Sequence, residues 1–286
     1  MTPEQLRIRA AHSIRRAVGL NQSPLPPCTD PTEAYFPIDG VARVVHGDLA
    51  SMLIGGLGSL FLQMLHPHSM AGVAQHSRYK SDPRGRLLQT ANFIGRTTYG
   101  SQSTAQANIE RVLAVHEGVR GVADDGEPYC ANDPHLLAWV HACEVSMFLR
   151  AYQSFGQHNI SRSDADTYVN EMATLARDLG AENPPTSVAE LDAQIEAYRS
   201  ELRLTQDGVV ARDWVIRGFL ESARQRFVYR LLVTSSYALM DPWSRELLDV
   251  RFRPVVNALL IRPVTKLACG LLHAAVPPPR RVTSPA

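Results

Sequence analysis

The chain is predicted to fold as one compact, multi-helix all-α domain. Three observations carry that expectation. Apolar residues recur at three- and four-residue spacing along most of the chain, Asp-Pro pairs stand where helices would begin, and strand-like alternation is scarce. The 286 residues suit one large domain or two small ones, and 45% hydrophobic against 20% charged residues supplies a sizeable core. No internal repeat is visible. The expected organisation is an N-terminal helix and extended loop over 1–32, the helical domain over 33–275 and a flexible tail over 276–286.

Each element has a local reason. Residues 3–18 are moderately amphipathic, and the loop over 22–37 holds Pro24, Pro26, Pro27, Cys28 and Pro31, which favour extended backbone. Apolar helices are expected over 39–65, with Gly55, Gly56 and Gly58 marking thin faces or breaks. The uncharged stretch 49–65 is the nearest thing to a membrane span. It is short and broken by glycines, so buried helices or a peripheral membrane contact are expected instead of an anchor. Pro67 suits a first helical turn, sets a boundary at His66 and opens a short helix over 68–77. Asp82-Pro83 combines a capping carboxylate with proline at the first helical position, and that helix runs toward Tyr99-Gly100.

Helical periodicity continues over 103–121. Asp124 to Pro128 reads as a turn, with Gly121-Val122 and Pro128-Tyr129 as flanks of a short hairpin. Asn132-Asp133-Pro134 then caps a strongly apolar helix. Further helices are expected at 162–179, 188–202, 208–220 and 223–240, with the Asn183-Pro184-Pro185-Thr186 turn between the first two. Asp241-Pro242-Trp243-Ser244 opens a terminal region with an apolar helix at about 255–274, and Pro277-Pro278-Pro279 ends the packed chain.

Several function classes are excluded. A formal net charge of +1, with no long Lys/Arg tract, gives no nucleic-acid footprint. Cys28, Cys130, Cys143 and Cys269 form no CxxC pair, which argues against zinc-finger or iron–sulfur sites. Reduced thiols and an N-terminus without an apolar signal core suggest a cytoplasmic protein. There is no GxGxxG after a strand, no Walker A run, no GxSxG elbow and no HExxH helix.

The helix after Asp133 holds the main anomaly: His141 and, one turn later, Glu144 inside an apolar run. Histidine is the commonest metal-ligating side chain, so His141 is a candidate ligand. The alternative is a core histidine paired to a carbonyl, with Glu144 meeting an arginine. His68 and His76, eight residues apart, share roughly one face of their helix. Arg86 and Thr90 are four apart, and Arg96 follows in an apolar setting where a guanidinium can clamp an anion.

From His66 to Tyr152 the chain resembles the oxygenase MpaB-like family, with the latex-clearing rubber oxygenases as more distant relatives. The likeness rests on His66-Pro67, Gly72-Val73-Ala74, His76-Ser77, Asp82-Pro83, Gly85-Arg86-Leu87, Thr90, Thr97 and Tyr99-Gly100. It continues in Val115-His116, Val119-Arg120-Gly121, Tyr129, Ala131-Asn132-Asp133-Pro134, Leu136-Leu137 and Trp139-Val140-His141-Ala142, and again in Asp241-Pro242-Trp243-Ser244. Coverage extends over most of 33–272.

The resemblance implies an all-α fold around a buried haem b, with O2 as co-substrate. By it, His141 is the proximal iron ligand, and O2 is activated on the opposite haem face. Arg86, Thr90, Arg96 and Thr97 become cofactor-binding candidates, the arginines through the propionates. His68, His76 and Glu144 become pocket residues for the chemistry. The arginine–lysine–threonine pattern and the polar triad of the latex-clearing enzymes are not present as units, so polyisoprene cleavage is not implied. The expected function is a haem-dependent oxygenase or oxidoreductase acting on a hydrophobic small molecule; the alternative is a non-catalytic haem or hydrophobic-ligand binding protein.

Overall fold

The computed structural model describes residues 27–218 and 222–278. The helix expected at 3–18 and the last eight residues of the chain lie outside them. In chain order the elements are α1 (Val41–Gly47), α2 (Leu49–Gln63), α3 (Pro67–His76), α4 (Pro83–Tyr99) and α5 (Gln102–Glu117). A hairpin of β1 (Arg120–Val122) and β2 (Pro128–Cys130) follows, then α6 (Pro134–Phe155), α7 (Arg162–Asp178) and α8 (Val188–Ala197). A 3₁₀ turn over Tyr198–Glu201 leads to α9 (Gln206–Arg217), α10 (Ala223–Leu239), α11 (Pro242–Leu247) and α12 (Pro254–Ala275), the last with a π-helical segment at Asn257–Ile261. The fold is all-α, and β1 and β2 pair antiparallel with Gly121 opposite Tyr129.

The caps anticipated from sequence form. Asp82 accepts from the Gly85 N–H at 2.9 Å, and Asp133 accepts from His135 and Leu136 at 2.9 and 3.1 Å. Asp48 was not anticipated. It breaks the expected 39–65 helical stretch into α1 and α2, which meet at 89°, and caps α2 by accepting from Ser51 N–H at 3.0 Å. The expected helix over 188–202 ends as α8 plus the 3₁₀ turn, and α9 stops at Arg217 because Gly218 takes φ +68°.

Helices α2 and α6 form the axis of the molecule. Their close approach depends on glycine. A Cβ on Gly55 would stand 2.8 Å from the Met147 carbonyl oxygen and 3.0 Å from the Phe148 Cα. One core cluster joins α2, α6, α9 and α10 through Phe61, Trp139, Met147, Val215 and Tyr237. A second joins α1, α6, α7 and α8 through Val45, Tyr152, Tyr168 and Leu191. Arg150 on α6 latches the C-terminal region by donating to the Leu239 carbonyl at 3.1 Å and to Asp241 at 2.9 Å. Trp243 packs against both clusters, which gives the Asp241–Ser244 segment a structural role. The uncharged stretch 49–65 lies in this core, with Ile54, Phe61 and Leu65 buried. Among the described residues α12 is the single helix that is long and apolar enough to cross a membrane.

Candidate functional site

Helix α6 presents the site. Its apolar run buries the middle of the helix, and His141 lies two turns in, 6% exposed. The His141 Nε2 is buried and has no hydrogen-bond partner. Burial pushes the imidazole pKa from 6.5 down to about 4, so the ring is neutral near pH 7 and retains a lone pair. A buried polar atom left unpaired costs about 1–3 kcal/mol. The carbonyl partner that a purely structural histidine would need is missing at Nε2.

Glu144 lies one turn further along. Burial pushes its carboxyl up to about 7, against the opposing pull of the Arg86 charge and of Gln63. Arg86 reaches this region from α4, and Gln63 from the last turn of α2. The same arginine bears on His116 of α5, whose pKa is lowered first by burial and then by Arg86. His116 interacts with the Asn132 side chain, which also donates to the Leu113 carbonyl at 3.0 Å. Polar groups from α2, α4 and α6 therefore converge on Glu144, one turn from His141, and the Arg86 charge also reaches the His116–Asn132 pair.

Helix α4 covers this side loosely. It packs along α1 and α5, and only Thr97 and Thr98 are buried within it. A Cβ on Gly95 would meet nothing within 4 Å. Arg86, Thr90, Phe93 and Thr97 share one face of α4 at four- and three-residue spacing, and Arg86 marks it as the face toward Glu144. Phe93 and Ile94 there are partly buried against the second core cluster. Arg96 is exposed and about a quarter-turn off that face.

The other candidates have internal partners. The Thr90 hydroxyl donates to the Arg86 carbonyl at 3.1 Å, and the Thr97 hydroxyl to Phe93 and Ile94 carbonyls at 2.9 and 3.2 Å. Both are spent on their own helix. His68 Nε2 lies 3.8 Å from Asp125, and His76 Nε2 lies 3.2 Å from the Arg120 carbonyl, so α3 faces these two histidines to the hairpin. The structure thus sets the Arg86 charge to act on Glu144, on the helix that carries His141, and ties His68 and His76 to the β1–β2 hairpin.

Gln63, His116 and Asn132 were not singled out as site residues from sequence. His116 and Asn132 stand in the segments that carry the family likeness, which was the available signal. Gln63 ends a helix among apolar residues and had none. His46 is another buried imidazole, but it is satisfied: Nδ1 lies 2.7 Å from the Thr98 hydroxyl and Nε2 3.0 Å from the Tyr168 hydroxyl. Two open recesses lie elsewhere, about 240 Å³ beside Tyr152 and His158 and about 540 Å³ beside Arg120, Tyr129 and Asp133. Neither is lined by His141 or Glu144.

No curated protein and no solved structure matches the chain. The family model described as ER-bound oxygenase mpaB/B'/Rubber oxygenase, catalytic domain, matches residues 43–271, which span every helix that contributes to the polar cluster. The match covers well over half of the chain, and the protein belongs to this family of oxygenase catalytic domains.

Proposed function

We propose that the protein is a haem b-dependent oxygenase acting on a hydrophobic small molecule, with His141 as the proximal iron ligand. The observation that carries this reading is the buried, neutral His141 whose Nε2 lacks a partner. Iron ligation would satisfy that atom without competing for a proton near pH 7. Among the described residues no group of three or more His, Cys, Asp or Glu side chains is placed to hold a metal ion. A lone histidine suits a metal whose remaining donors would come from a porphyrin.

The remaining residues fit the same group. Arg86 supplies a positive charge for a propionate, and Arg96 a second exposed guanidinium one helical segment away. His116, with Asn132 bonded to it, adds polar side chains within reach of the Arg86 charge. Partly buried Phe93, Ile94 and Leu113 provide apolar surface that excludes water and favours an apolar substrate. Glu144, held near neutrality in its proton affinity, can keep or release a proton at its carboxyl close to the site. When bound, haem would supply the iron for O2 activation. The free cysteines, Cys143 and Cys269 among them buried, suit a reducing compartment such as the cytoplasm.

The test is reconstitution of the full chain with haem, followed by absorption spectroscopy and O2-uptake measurements. One haem per chain, with a spectrum altered or lost in His141→Ala, is the expected result. Failure to take up haem stoichiometrically sinks the reading. Haem uptake without O2 consumption on any apolar substrate would identify a haem carrier instead.

A further inference from the structure

Helix α12 is amphipathic in the reverse sense for a helix packed in water. The side against the protein carries two hydrogen-bonded polar residues, beside Cys269 and Leu272, which pack against the first core cluster. Thr265, Cys269 and His273 recur every four residues and are buried. Thr265 shares a 2.8 Å hydrogen bond with the buried hydroxyl of Ser235 on α10. His273 Nε2 lies 3.0 Å from Asp48, a fully buried carboxylate that also accepts from the Gln157 N–H at 2.9 Å. The side facing outward is apolar. Val256, Leu260, Val264, Leu267 and Leu271 recur at four- and three-residue spacing, and Leu260, Leu267 and Leu271 are 57%, 66% and 66% exposed. On the adjacent α10, Phe227 and Val228 are exposed as well.

Buried polar anchors fix the orientation of α12, so the exposed leucines are a consequence of specific bonding. A contiguous apolar face of this kind marks a binding surface. The charge around it selects the partner. Among the described residues from Arg251 onward the basic side chains are Arg251, Arg253, Arg262 and Lys266, and there is no aspartate or glutamate. Self-pairing of two copies across a twofold axis would bring these like charges together. A surface of anionic headgroups would neutralise them.

We propose that the outward face of α12 docks on an anionic lipid bilayer, with the leucines inserted at the headgroup boundary and the flanking Arg and Lys side chains on the phosphates. The length and composition of the helix would suffice to cross a bilayer. The bonds of Thr265 and His273 to Ser235 and Asp48 instead hold it flat against the protein.

Cosedimentation of the full chain with vesicles tests this. Vesicles of phosphatidylcholine mixed with phosphatidylglycerol should pellet the protein, and phosphatidylcholine alone should not. Added salt should weaken the binding. Leu267→Glu with Leu271→Glu, at exposed positions, should abolish pelleting while circular dichroism and the native-state molar mass stay unchanged. Arg262→Gln with Lys266→Gln should weaken partitioning roughly 25-fold, about five-fold per charge. The proposal is overturned if neither vesicle type binds the protein, or if neutral and anionic vesicles bind it equally. It is also overturned if the double leucine variant converts a dimer to a monomer without changing vesicle binding, which would make a second copy the occupant.

Discussion

Replacing His141 with leucine separates the two roles a buried histidine can have. In the haem-free protein the substitution removes an orphaned Nε2 worth about 1–3 kcal/mol of penalty. Leucine fills a similar volume, so repacking should cost less than about 1.5 kcal/mol. Near pH 7 the variant should therefore be as stable as the parent, or up to about 2 kcal/mol more stable. Acid sharpens the contrast. The folded-state pKa of His141, about 4, lies below its reference value of 6.5, so between those values the unfolded chain binds more protons than the folded one. The parent loses about 1.4 kcal/mol per pH unit on acidification through that window, and the leucine variant lacks this term. At pH 5 its advantage should grow by about 2 kcal/mol. Urea titrations of both haem-free proteins at pH 7 and pH 5 measure this, and a haem titration of each measures ligation. The variant should gain relative stability in acid and lose haem. A variant that is destabilised by 2 kcal/mol or more at both pH values and still takes up haem normally would refute the reasoning.

Glu144 carries the opposite sign. Its folded-state pKa, about 7, lies above the reference 4.5, so the parent loses stability as pH rises between those values, and Glu144→Gln should flatten that slope in urea titrations. Arg86→Ala should raise the Glu144 pKa further, visible as a persisting protonated-carboxyl infrared band above pH 7, because it removes the attractive charge. Gly55→Ala should cost about 1–3 kcal/mol by forcing α2 from the Met147 carbonyl, whereas Gly95→Ala, with open space at its Cβ, should gain about 0.5–1 kcal/mol of helix stability, both read from chemical denaturation. Asp48→Ala should cost about 3–5 kcal/mol, since it strands His273 and uncaps α2, and limited proteolysis should then cut first near α12.

Much of the fold was legible because its signals are local. Asp82-Pro83 and Asp133-Pro134 are capping carboxylates followed by a residue that needs no hydrogen-bond partner, and both start helices where expected. The hairpin was legible from the Asp124–Pro128 turn. The break at Asp48 was not, although Gly47 and a capping aspartate stand there, because the apolar pattern continues on both sides of them. That carboxylate terminates α1 by capping α2 and by accepting from Gln157 and His273, partners more than a hundred residues away. The reversed polarity of α12 was equally hidden. Its pattern is amphipathic either way, and only the positions of Ser235 and Asp48 decide which side faces in.

The site divides along the same line. Sequence alone marked His141 and Glu144 as polar groups one turn apart in an apolar helix, and the family likeness gave them a meaning. Whether His141 had a partner, and which arginine met Glu144, depends on how α4, α5 and the end of α2 cross the α6 surface. Periodicity reports which face of a helix is buried; it does not report what lies opposite. Helix packing set the Arg86 charge to act on Glu144 and left Nε2 of His141 unpaired, and it tied His68 and His76 to the hairpin.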